Sequence, residues 1–160
     1  MPSVTLRSTA GGYVDLRALP SGRTVIYCYP MTGVPGMALP DGWDMIPGAR
    51  GCTPQACAFR DHFAELAALG AGVVGLSTQE TDYQREMAER LHLPFAVLSD
   101  ADLRFVAALQ LPTFEADGMT LIKRLTLIVR DGIIEHVLYP VFPPDQNAEL
   151  VVDWLQSAPR

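Results

Sequence analysis

The sequence predicts a mixed α/β fold, and three observations carry that reading. Short β-branched or aromatic runs alternate with amphipathic helical stretches through the middle of the chain. A Gly-centred hairpin precedes them, and a second hairpin with an Asp-Gly turn follows. Alternating strands and helices favour parallel pairing with helices on both faces, while hairpins add antiparallel strands. The expected architecture is a mixed central sheet, helix-covered on both sides, with an N-terminal hairpin, formed by residues 1–160 as one domain.

The elements follow in order. Val4–Ser8 and Tyr13–Leu16 flank Ala10-Gly11-Gly12 and read as the first hairpin. Arg23–Tyr29 is rich in β-branched and aromatic residues and reads as a buried strand ended by Pro30. The next 21 residues, Met31 to Gly51, hold three prolines and five glycines and show no period. A loop this long inside a compact domain is usually functional. From Pro54 the pattern turns helical, with Ala58, Phe59, Phe63, Leu66, Ala67 and Leu69 on one face. Pro54 suits the first helical position, Thr53 the N-cap, and Gly70 and Gly72 the stop. Val73–Ser77 reads as a strand, Tyr83–Leu91 as a helix, Phe95–Leu98 as a strand and Asp102–Leu109 as a short helix. Leu121–Val129 and Ile133–Tyr139, joined by Asp131-Gly132, read as the second hairpin. Asn147–Gln156 closes the chain as a helix.

Composition narrows the function. The net charge is −6 and no basic run occurs, which argues against a nucleic acid or an anionic membrane as partner. No apolar stretch approaches the ~20 residues of a membrane helix, and Met1–Arg7 lacks an apolar signal segment. We therefore expect a cytoplasmic protein, where a close cysteine pair is more often catalytic or metal-binding than structural.

Cys52 and Cys57, in Gly51-Cys52-Thr53-Pro54-Gln55-Ala56-Cys57, stand where the loop gives way to the helix. Helix rise and radius put their Cα atoms roughly 8–9 Å apart, whereas a disulfide needs about 4.4–6.8 Å. The pair cannot bond in an intact helix, yet a turn of unwinding brings the sulfurs together. At the helix start, free N–H groups and the macrodipole favour a thiolate, and Arg50 lies two residues away. Cys52 is thus the candidate nucleophile, with a pKa expected below the free value, and Cys57 the candidate second thiol. Two unrelated helix cysteines remain an alternative. A zinc site would have to recruit His62 and Cys28, a poor match to paired-ligand spacing. Cys28 lies in the buried strand and reads as a small core residue. His62, His92 and His136 lack sequence partners, and Trp43 in the long loop reads as a packing anchor, with a ligand platform as its alternative.

Together these residues resemble the peroxiredoxins, in particular the Q-type or bacterioferritin comigratory protein branch. Tyr27-Cys28-Tyr29-Pro30 is similar to the strand ending in that family's active-site proline. Gly51 to Asp61 resembles its nucleophile segment, with a second cysteine five residues on. Val74–Thr78 and Leu98-Ser99-Asp100 resemble later strand ends. Lys123–Val129 is similar to the strand carrying the active-site arginine, and Asp131–Val137 to the turn and strand after it. Two departures stand out. In the family pattern P-x-x-x-T-x-x-C the cysteine lies seven positions after the proline; here 21 residues separate Pro30 from Cys52, an insertion of about 15. The residue three before Cys52 is Ala49, so the family's threonine hydroxyl is missing there. Thr32 is the candidate replacement and Thr53 the fallback.

The resemblance implies a thioredoxin-like fold and a thiol-dependent peroxidase for hydrogen peroxide and organic hydroperoxides. It assigns Cys52 as the peroxidatic and Cys57 as the resolving thiol, joined transiently in a redox-active disulfide. It makes Arg124 the residue that stabilises the thiolate and Pro30 the shield, and implies a thioredoxin or similar dithiol as reductant. No metal or other cofactor is implied, and the chain is expected as a monomer or homodimer. A redox-sensing thiol switch without efficient turnover is the alternative, and a non-catalytic binding domain presenting Trp43 the third.

Overall fold

The computed structural model describes all 160 residues. Seven strands form one mixed sheet in the order β2-β1-β5-β4-β3-β8-β9. These are β1 (Thr5–Ser8), β2 (Tyr13–Asp15), β3 (Arg23–Cys28), β4 (Ala71–Ser77), β5 (Val97–Ser99), β8 (Leu125–Arg130) and β9 (Ile133–Leu138). β3 pairs in parallel with β4, and β4 with β5. All other pairings are antiparallel, so the sheet is mixed as the element order requires. β3 sits at its centre.

Alternation along β3 sorts the two cores. Val25, Tyr27 and Tyr29 face one side, joined by Cys52, Ala56 and Phe59 of α1 (Cys52–Asp61) and Leu66 of α2 (Phe63–Ala68). Met87 of α3 (Thr81–Arg90) and Val151, Val152 and Leu155 of α5 (Asn147–Ser157) complete that layer. Ile26 and Cys28 face the other side, with Leu76, Leu98, Leu127 and Phe105 of α4 (Arg104–Leu109). Cys28 is fully buried there, and burial pushes its thiol far up. That is the core role read from its strand.

Three expectations change. The stretch Leu121–Val129 is not one strand. Met119–Ile122 is β7, paired with β6 (Thr113–Ala116) in a separate two-stranded sheet, and the chain bends at Lys123-Arg124 before β8 begins. The β6–β7 turn is Asp117-Gly118 with φ of 52° and 75°, matching Asp131-Gly132 at 50° and 80°. Both dipeptides supply the two positive φ values that a two-residue hairpin turn needs. The helix after the loop starts at Cys52, with Gly51 rather than Thr53 as N-cap, and breaks at His62 into α1 and α2. Gly51 has φ 110°, in a region that disfavours side chains, so glycine takes the cap position.

The long loop is packed, not open. Trp43, in a short 3-10 turn (Trp43–Met45), is buried with Ala49, Ala116 and Leu121. Its ring centroid lies 6.1 Å from that of Phe114 on β6. Trp43 is therefore the packing anchor, clamping the loop to the β6–β7 hairpin. Trp43→Ala should cost up to about 3 kcal/mol, the low end for large buried aromatics. Amide exchange of residues 31–51 and 113–122 should accelerate well before that of β3 and β4. Uniform acceleration across all strands would contradict a local anchoring role.

Candidate active site

The site assembles at the C-terminal end of β3, where the chain leaves the sheet at Pro30. Cys52 occupies the first turn of α1 and is 4% exposed. Arg124, at the bend between β7 and β8, is 3% exposed and points inward. Its Nη2 lies 3.2 Å from Cys52 Sγ. The same nitrogen is shared among the carbonyls of Gly48, Ala49 and Arg50 at 3.2–3.3 Å, so the guanidinium also holds the end of the long loop. Nη1 donates to Gln55 Oε1 at 2.5 Å, while Nε is buried without a partner. The bend that breaks the expected strand is what frees Arg124 to turn into the site.

Gln55 was not singled out in the sequence beyond its place between the cysteines, yet it is fully buried and anchors the arginine. It donates through Nε2 to Asn147 Oδ1 at 3.0 Å. Asn147 gives no sequence signal of its own, since a polar residue opening an apolar helix reads as an ordinary cap.

The other predicted site residues are placed as follows. Pro30 is buried beside the site at the end of β3. Thr32 is buried, but its hydroxyl stands 3.5 Å from Gln79 Oε1 and makes no bond to sulfur. Gln79 also accepts from the Thr32 N–H and donates to the Thr32 carbonyl, each at 3.0 Å, clamping this turn of backbone. Thr53, in the first turn of α1, makes no side-chain bond to sulfur either. Cys57 is partly exposed in the same unbroken helix as Cys52, and all three cysteines are free. His62 meets Glu65 at 3.0 Å, His92 follows α3, and His136 stacks on Trp154; none is hydrogen-bonded to Cys52. No group of three or more His, Cys, Asp or Glu side chains is placed to hold a metal.

Two contributions to the Cys52 pKa differ from expectation. Arg50 turns its side chain outward, 82% exposed and 3.9 Å from Asp44, so only its backbone reaches the site. Burial pushes the Cys52 thiol above its ordinary value. The Arg124 charge and hydrogen bond, and the Met31 backbone N–H, pull it back down. Desolvation outweighs both, so the thiol stands above its ordinary value and not below it as expected.

Two clefts adjoin neighbours of Cys52, and Cys52 itself lines neither. One of about 260 Å³ meets the site at Gly48 and Arg124, walled by Phe114, Lys123, Val141 and Phe142. A second of about 400 Å³ reaches Met31 and Thr32 between the long loop, Tyr83 and Met119. No helix is long and apolar enough to cross a membrane.

The chain is similar to known proteins over nearly its whole length. Residues 1–152 match the Redoxin family. Peroxiredoxin Q of the chloroplast of Sedum lineare is 30% identical over 157 residues, covering 98% of this chain and 75% of the relative. Peroxiredoxin Bcp of Escherichia coli is 29% identical, covering 98% and 92%. The chain spans 64% of the length of the rice peroxiredoxin Q it matches. Among solved structures, peroxidoxin BcpB of Mycobacterium tuberculosis superposes with a TM-score of 0.77 at 27% identity, covering 98% of this chain and 94% of that one. Peroxiredoxin Q of Xanthomonas campestris, at 21% identity and a TM-score of 0.74, shares the fold. The chain belongs to the redoxin family, among the peroxiredoxins of the Q and Bcp kind. Its fold is accordingly the thioredoxin-like one.

The opposed influences on Cys52 set a pH signature. Because burial raises the thiol and Arg124 lowers it, the rate of Cys52 oxidation should rise with pH through the neutral range. Arg124→Ala should slow it by about tenfold or more at pH 7 and move the profile further alkaline, since each pKa unit is a tenfold change in thiolate. A rate flat from pH 6 upward and unmoved by Arg124→Ala would contradict this balance.

Proposed function

We propose that the chain is a thiol peroxidase reducing hydrogen peroxide and organic hydroperoxides. The observation that carries this reading is Arg124 Nη2 standing 3.2 Å from Cys52 Sγ at the start of a helix that also holds Cys57. The Cys52 thiolate attacks one peroxide oxygen, the O–O bond breaks, and the alkoxide or hydroxide leaves with a proton taken from solvent. Sulfur gives up two electrons and becomes a sulfenic acid. Arg124 stabilises the thiolate and the charge developing on the oxygens. Pro30, buried at the strand end, keeps water off the sulfur.

Cys57 then displaces hydroxide from the sulfenic sulfur, giving the Cys52–Cys57 disulfide and one water. This step needs α1 to open, because an intact helix holds the Cα atoms too far apart. A thioredoxin or similar dithiol returns both thiols by exchange. The chemistry resides in sulfur and calls for no cofactor, and the protein acts as one cytoplasmic domain, monomeric or homodimeric.

One observation favours a second reading, a thiol switch without efficient turnover. No side-chain hydroxyl bonds to Sγ; its contacts are Arg124, the Ala49 carbonyl at 3.8 Å and the Met31 backbone. Thr32 is the candidate hydroxyl, and its Oγ1 stands 3.5 Å from Gln79 Oε1. Thr32→Val should therefore lower the peroxide rate severalfold if it serves the enzyme, and leave it unchanged if Gln79 is its partner throughout.

Stopped-flow peroxide consumption with a dithiol reductant separates the two readings. Wild type should turn over repeatedly, and Cys52→Ser should be inactive. Cys57→Ser should stop after a trappable Cys52 sulfenic acid. Activity largely retained in Cys52→Ser would remove the assignment; a single oxidation without recycling would leave the switch.

A further inference from the structure

The C-terminal segment touches α1 at two points. Pro144, in the 3-10 turn before α5 (Pro144–Gln146), presses on the N-cap: a Cβ on Gly51 would stand 2.6 Å from Pro144 Cγ. Four residues further along α1, Gln55 meets Asn147, the first residue of α5. Gln55, Asn147 and Thr126 are all fully buried.

The polar chain they form has a fixed direction. A guanidinium carries donors only, so Arg124 draws the Gln55 carbonyl oxygen toward itself. The Gln55 amide nitrogen then faces Asn147, which has to answer with its oxygen. The Thr126 hydroxyl donates to that same oxygen at 2.7 Å. Asn147 Nδ2 is left buried without a partner. Asn147 thus serves this chain purely as an acceptor, at the far end from Cys52.

We propose that Asn147 is a positioning residue that holds Gln55, and through it Arg124, against Cys52, and that it latches the first turns of α1 closed. The proposal rests on Cys52 being the peroxide-reactive thiol. Gln55 lies between Cys52 and Cys57, so it must leave Asn147 when α1 opens for the disulfide. The contact therefore supports the first chemical step and opposes the second. Its loss should move the two rates in opposite directions, which a general loosening of the sheet would not do.

The test uses the reduced full-length chain as wild type, Asn147→Leu and Asn147→Asp. Acid-quenched single turnovers are followed by mass spectrometry for Cys52 oxidation and for disulfide formation. Asn147→Leu should oxidise about tenfold more slowly at pH 7, with its pH profile displaced alkaline by about one pH value. Its disulfide step should be severalfold faster. Asn147→Asp keeps an acceptor oxygen toward Gln55 and Thr126 and puts a carboxyl oxygen in place of the unpartnered Nδ2, so it should recover more of both rates than Leu does. Should Asn147→Leu fail to fold by circular dichroism, Asn147→Ser replaces it, being too short for Gln55 yet still polar toward Thr126, with the same outcomes expected. A folded Leu or Ser variant with a wild-type pH profile, or an Asp variant no better than Leu, overturns the latch. A wild type whose Cys52 does not react with peroxide overturns the peroxidase reading itself.

Discussion

The buried Arg124 guanidinium is the interaction on which the rest of the site depends. A buried cation needs acceptors for its donors, and here only Nε goes without one. This one finds a thiol, a glutamine oxygen and three carbonyls at the end of the long loop. Because it has donors only, it dictates which way its neighbours point. It closes the loop onto the helix start, places charge against Cys52 and orients the polar chain that runs to α5. Removing it would leave several buried acceptors unsatisfied as well as a thiol without a counter-charge.

The position of Arg124 follows from the fold rather than from sequence proximity. β8 pairs with the central strand β3, and the chain enters β8 from the separate β6–β7 hairpin. The crossing between the two sheets forces the bend at Lys123-Arg124. The inserted loop packs through Trp43 on that same hairpin, so loop end, arginine and helix start meet at one point. An insertion of this length is accommodated because it brings its own small core.

Much of this was legible in the sequence. The β3 run, the Asp131-Gly132 hairpin and the apolar face of α5 announce themselves through period and turn chemistry, and the cysteine segment through its spacing. The misreadings have physical causes. Leu121–Val129 is apolar except for Lys123, Arg124 and the β-branched Thr126, and strand propensity hides a change of sheet. Thr53 looks like a cap, but Gly51 reaches the required positive φ more easily. Arg50 is near Cys52 in sequence, yet its side chain leaves for solvent. Gln55 and Asn147 are partners across 92 residues, which no local pattern discloses.

One helix carries both thiols and the glutamine that steadies the arginine, so in the proposed mechanism the same turns are closed for one step and open for the next. Pro54 offers no N–H and Gly51 sits at the cap, which makes this start easy to release. Amide hydrogen exchange across residues 53–60, compared between reduced and peroxide-oxidised protein, tests that claim most directly. These amides should be protected in the reduced state and lose protection on oxidation, while β8 and β9 stay protected in both. Equal protection of residues 53–60 in a protein that carries the Cys52–Cys57 bond, or no such bond after peroxide, would contradict it.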